Sequence, residues 1–88
     1  MDVLTAAVAA VLLATQQDLM NSPIEPVSQT PETVRSLLNA GEPAVAYEIL
    51  CDNLYEDDIS VPRHLLQQLQ QAVGDVGVDP SRVAMLLD

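Results

Sequence analysis

DVLTAAVAAVLLATQQDLM, residues 2–20, runs without a glycine or a proline and places Leu4, Ala7, Val8, Val11, Leu12, Thr15 and Leu19 at the three- and four-residue steps of an α-helix. This spacing predicts a first helix over 2–20. Nowhere in the remaining chain does a strand-like alternation outweigh the helical pattern, so the predicted class is all-α, a small bundle of four to five helices in one domain spanning 1–88.

The other side of that helix is apolar too. Ala6, Ala10 and Ala14 follow one another at four-residue steps with Leu13 beside them. Two readings are open: a central helix whose small residues let neighbours approach closely, or a homodimer seam.

Outward from the first helix, Asn21 to Gln29 carries Pro23, Pro26 and two serines with little periodicity, which predicts an extended connection over 21–29. Thr30-Pro31-Glu32 then reads as a helix start, with Thr30 as the cap, Pro31 at the first position and Glu32 at the positive end of the dipole. Val34, Leu37 and Leu38 supply the apolar face of this short helix, and Gly41 ends it. From Ala44 to Tyr55, Ala46, Ile49, Leu50 and Leu54 share one side, while Glu48, Asp52, Tyr55 and Glu56 share the other.

A fourth helix begins at Ser60 or Val61 with Pro62 in its first turn and carries the stripe Leu65, Leu66, Leu69, Ala72, Val73 and Val76. Its remaining face, with Gln67, Gln68, Gln70 and Gln71, is polar but uncharged. Gly74 and Gly77 bring it to an end, and Asp79-Pro80 opens a short fifth helix with Val83, Met85, Leu86 and Leu87.

The core these helices can build is thin. A chain of 88 residues hides only about 60% of its unfolded surface. Thirteen Leu, eleven Val and three Ile, with no Phe and no Trp, make that core aliphatic, and a partner or second copy would help to hold it.

Thirteen acidic residues against three Arg and no Lys give a net charge of −10, which opposes binding to phosphate backbones and to anionic lipid surfaces. Such a surface attracts a basic protein instead. Cys51 is the only cysteine, so no internal disulfide framework exists and a reducing cytoplasm fits best. The apolar run Val3–Ala14 falls short of the roughly 20 residues of a membrane span, and Asp2 stands where a signal peptide has a basic flank.

Catalysis finds little support. His64, the one histidine, sits in the first turn of an amphipathic helix on its polar side, and Cys51 is on another helix beside an apolar arc. In Asp52-Asn53-Leu54-Tyr55-Glu56-Asp57-Asp58, Leu54 stands where a calcium loop needs an oxygen ligand, and the central glycine is missing. No serine lies in the Asp-Ser-Leu context of an acyl carrier protein, and three glycines build no phosphate loop. The expectation is a non-enzyme without metal or cofactor.

What stands out is Glu42 to Asp58, where Glu42, Glu48, Asp52, Glu56, Asp57 and Asp58 occur without an intervening base. Glu48, Asp52 and Glu56 stack at four-residue steps, a like-charge arrangement that costs a few tenths of a kcal/mol per pair. Tyr55 lies within this face and Tyr47 at its edge, and they are the only aromatics in the chain. An aromatic ringed by charge has the anchor-and-rim organisation of a protein interface, although a solvated acidic helix with Tyr47 capping the core accounts for the same pattern.

The segment Leu37-Leu38-Asn39-Ala40-Gly41-Glu42-Pro43, followed by Ala46-Tyr47-Glu48-Ile49-Leu50-Cys51-Asp52-Asn53-Leu54-Tyr55-Glu56, resembles the MafI-family immunity proteins of bacterial polymorphic toxin systems. Ile59 and the helix with Leu65, Leu66 and Leu69 extend the likeness, which covers roughly Glu32 to Asp88 within an immunity-like helical core over 30–88. The resemblance implies a small helical protein that protects the producing cell by binding its cognate toxin, with no catalysis of its own.

The expected partner-binding residues are Glu48, Asp52, Tyr55, Glu56, Asp57 and Asp58, facing a basic toxin domain such as a nuclease. The competing reading is a non-catalytic helical adaptor that homodimerises through Ala6, Ala10, Leu13 and Ala14.

Overall fold

Asp2 starts the first helix by accepting a hydrogen bond from the Thr5 amide at 2.7 Å on Oδ1. That backbone bond holds its carboxyl below the usual carboxylate range. In the computed structural model, which describes residues 2–88, six helices follow: α1 (Val3–Met20), α2 (Glu25–Ser28), α3 (Thr30–Asn39), α4 (Pro43–Glu56), α5 (Arg63–Val76) and α6 (Ser81–Leu87). The described residues contain no strand, and the architecture is a small all-α bundle.

α1 is the spine. It buries Leu4, Val8, Val11, Leu12, Thr15 and Leu19 and packs against α3, α4 and α5. Thr15 is tolerated there because its Oγ1 donates to the Val11 carbonyl at 2.8 Å, so no polar atom is left unpaired. α3 and α4 form a helical hairpin across Ala40–Glu42. Gly41 takes φ +75° at that turn, and the amides of Gly41 and Glu42 reach back to the carbonyls of Leu38 and Leu37. α6 closes one end by packing on α4 and α5.

The 21–29 segment departs from the extended connection expected of it. Glu25–Ser28 forms one helical turn, α2, which buries Val27. Pro26 sits within the first two positions of the turn, where its missing N–H costs nothing, so proline starts a helix here instead of preventing one. Thr30 is likewise not the cap expected of it. Gln29 precedes α3 already in helical conformation, and Thr30 Oγ1 donates to the Pro26 carbonyl at 3.2 Å.

Three further residues differ from the sequence pattern. Pro62, expected inside the first turn of its helix, stays extended at ψ 130° and precedes α5. Val76, expected in the α5 stripe, is exposed in an open groove between the start of α1 and Pro43. Met85, expected with the apolar set of the last helix, is exposed, and only Val83 of that helix is fully buried. Finally, α1 extends past the apolar run Val3–Ala14 through Thr15, Gln16, Gln17 and Asp18 to Leu19 and Met20. At 18 residues and a mean hydropathy of 1.5, α1 is long and apolar enough to cross a membrane by length and composition alone.

Candidate functional site

α4 carries the acidic face. Its inner side, Ala46, Tyr47, Leu50, Cys51 and Leu54, is fully buried. Because 3.6 residues make a turn, burying those positions forces Asp52, Tyr55 and Glu56 outward, with Glu48 half-buried at the edge.

The two tyrosines separate cleanly. Tyr47 is a core residue whose phenol donates to the Asp79 carbonyl at 2.9 Å and accepts from the Val83 amide at 3.1 Å. That amide lies in the first turn of α6, where helical amides lack intrahelical partners, so Tyr47 caps α6 from another helix. Burial and the neighbouring groups hold its hydroxyl above the ordinary tyrosine value, desolvation being the main cause. Tyr55, by contrast, is 58% exposed.

The acidic face also divides. Arg82 of α6 donates from Nε to Asp52 Oδ1 at 3.1 Å and lies 3.7 Å from Glu48 Oε2. These carboxylates, Asp52 foremost, hold its guanidinium above the usual arginine value. The stacked carboxylates of one helix are thus partly neutralised by a cation 30 residues further along the chain. No ion pair among the described residues engages Glu56, Asp57, Asp58 or Asp88.

Beside this unneutralised end lies a cleft of ≈ 350 Å³ between the α4–α5 turn and α6. Tyr55, Ile59, Met85 and Leu86 supply apolar walls, Leu54 and Leu66 the buried floor, and Asp58 and Asp88 the acidic rim. Asp58 is held at φ +51°, a left-handed conformation that Asp tolerates better than most residues. The Asp58 amide donates to the Tyr55 carbonyl and that of Ile59 to the Leu54 carbonyl, which ties the turn back onto α4.

The structure therefore brings Tyr55 and Asp58 to the cleft, leaves Glu56 and Asp57 outside its lining, and turns Glu48 and Asp52 toward Arg82. Sequence reasoning missed Met85 and Asp88 as neighbours of Tyr55. Their only sequence signal was an apolar residue on a short last helix and an acid three positions later, just past its end.

Residues suited to chemistry are dispersed. His64 is exposed at the start of α5 and Cys51 is buried in α4, its thiol pushed up to about 12 chiefly by desolvation. Among the described residues, no three of His, Cys, Asp and Glu gather closely enough to hold a metal ion. Comparison with known proteins returned no match to any family model, any curated protein or any solved structure.

Proposed function

We propose that this protein is an immunity protein that binds and neutralises a cognate bacterial toxin domain in the cytoplasm of the producing cell. The observation that carries this reading is Tyr55, more than half exposed at the mouth of a cleft whose surrounding carboxylates have no basic partner. Tyrosine supplies a large contact area at low entropic cost, and surrounding charge steers and selects the partner. The resemblance of residues 32–88 to the MafI family supports the same reading independently of charge.

In this account Tyr55 inserts into the toxin domain. Glu56, Asp57, Asp58 and Asp88 meet Lys or Arg side chains on it, and a net charge of −10 attracts a basic surface from a distance. Glu48 and Asp52 contribute to that long-range field, but their near contacts are with Arg82. Inhibition then needs no bond-making step, because occupying the toxin's substrate-binding surface suffices.

The test is co-expression with the toxin domain encoded beside its gene. Rescue of growth with copurification of the two chains is the expected result. Killing despite soluble expression of both overturns the assignment and favours the second reading, a helical adaptor acting through α1.

A further inference from the structure

The outer face of α1 carries an apolar seam that the bundle leaves largely exposed, with Ala10 half-buried beside α5. Val3, Ala6, Ala10, Leu13, Gln17 and Met20 follow at alternating steps of three and four, the spacing that keeps one stripe of a helix toward a facing helix over its whole length. The stripe contains no charge. Leu13 is 72% exposed, Met20 55% and Val3 53%, while the opposite stripe of α1 fills the core.

Shape and charge together identify what fits there. Next to the Leu13 protrusion lies a shallow depression of ≈ 360 Å³, walled by Val3, Ala6 and Ala10 of α1 and by Gln68 and Gln71 of α5. Protrusion and depression occupy two halves of one face. A two-fold axis passing beside Ala10, between the two copies, places the Leu13 of each copy at the depression of the other, with the two α1 helices antiparallel and their alanines at the crossing. Such mutual insertion is what a self-complementary interface requires.

Two chains of charge −10 repel one another, so they can meet only through a face poor in charge. The α1–α5 face is such a surface: its α5 side presents glutamines, and only Asp75, Asp18 and Asp2 lie along its border. Val3, Leu13 and Met20 are each more than half exposed and Ala6, Gln17, Gln68 and Gln71 are exposed beside them, so a pair that covers this face buries at most on the order of 1,000 Å², the size of a weak specific interface.

We infer that the protein forms an antiparallel homodimer in which Leu13 of each copy enters the Ala6–Ala10 depression of its partner. The inference stands apart from the toxin reading, since it concerns a different face and needs only the protein itself.

Sedimentation equilibrium on the purified chain, up to ~100 µM, tests it in the range where an interface of this size associates. The expected mass is twice the 9.5 kDa of one chain. Leu13→Glu, at an exposed position, is expected to weaken association at least tenfold while leaving helicity unchanged, and to remove the rise of the unfolding midpoint with protein concentration that a dimer shows. Ala10→Cys is expected to cross-link the two copies under mild oxidation, with Cys51 buried and unavailable for that reaction. A monomer at the highest concentration overturns the inference, as does a dimer indifferent to Leu13→Glu. Failure of Ala10→Cys to cross-link overturns the antiparallel crossing.

Discussion

Arg82 Nε donates to Asp52 Oδ1 at 3.1 Å, joining α6 to the outer face of α4 across 30 residues of chain. The contact does two things at once. It fastens the last helix to the bundle, and it withdraws Asp52, and with it Glu48, from the set of carboxylates offered to a partner. What remains unpaired is the end of α4 around Tyr55, so under the proposed immunity function the pair marks the edge of the toxin-facing surface.

Arg82→Gln releases Asp52 and Glu48 and makes the surface more negative. Association with a basic toxin domain is therefore expected to be faster than for the parent protein, and its rate to fall more steeply with salt. Stopped-flow kinetics at several salt concentrations checks this, and an unchanged or slower rate speaks against steering by this face.

Tyr47→Phe removes the hydroxyl that bridges the Asp79 carbonyl and the Val83 amide. The Val83 amide is then left buried without a partner, a loss of about 1–3 kcal/mol in urea unfolding. Exchange of that amide with solvent should accelerate more than exchange in the middle of α4, since the cap is lost at α6.

Cys51 and Tyr47 share a direction of titration. Burial raises both, with the Cys51 thiol pushed up to about 12, so below the ordinary thiol range each is neutral in both folded and unfolded chains and contributes no pH dependence. As pH rises from about 9 toward 12 the unfolded chain loses these protons first, so stability falls with pH in that window. Urea midpoints across the window should decline, and Cys51→Ala, although less stable at neutral pH, should decline less steeply. In the folded parent protein the thiol should resist alkylation at neutral pH.

Gly41→Ala meets no atom within 4 Å of its new Cβ, so its cost is conformational alone. At φ +75° that cost is about 1–2 kcal/mol, and Gly41→Asn, which tolerates the left-handed region, should lose less. Urea denaturation of the two variants measures the difference.

Helical periodicity made α1, α3, α4, α5 and α6 legible, because each buries one stripe and local spacing encodes that stripe. α2 was not legible: Pro23 and Pro26 look like breakers until the turn places Pro26 where its missing N–H is harmless. The outward placement of Tyr55 and Glu56 followed from the α4 period alone. The burial of Tyr47 and the pairing of Asp52 did not, since each depends on α6, reached 30 to 36 residues later. The same distance hid Met85 and Asp88, which join Tyr55 only once α6 has packed on α4.

The most direct test of the immunity reading is the binding kinetics of the parent protein and two variants with the purified toxin domain encoded beside its gene. Tyr55→Ala, at an exposed position, is expected to fold normally and to bind about 100-fold more weakly through faster dissociation. Glu56→Gln with Asp58→Asn should instead slow association and flatten its salt dependence. Affinity equal to the parent for all variants, with helicity intact, contradicts an interface at the Tyr55 cleft.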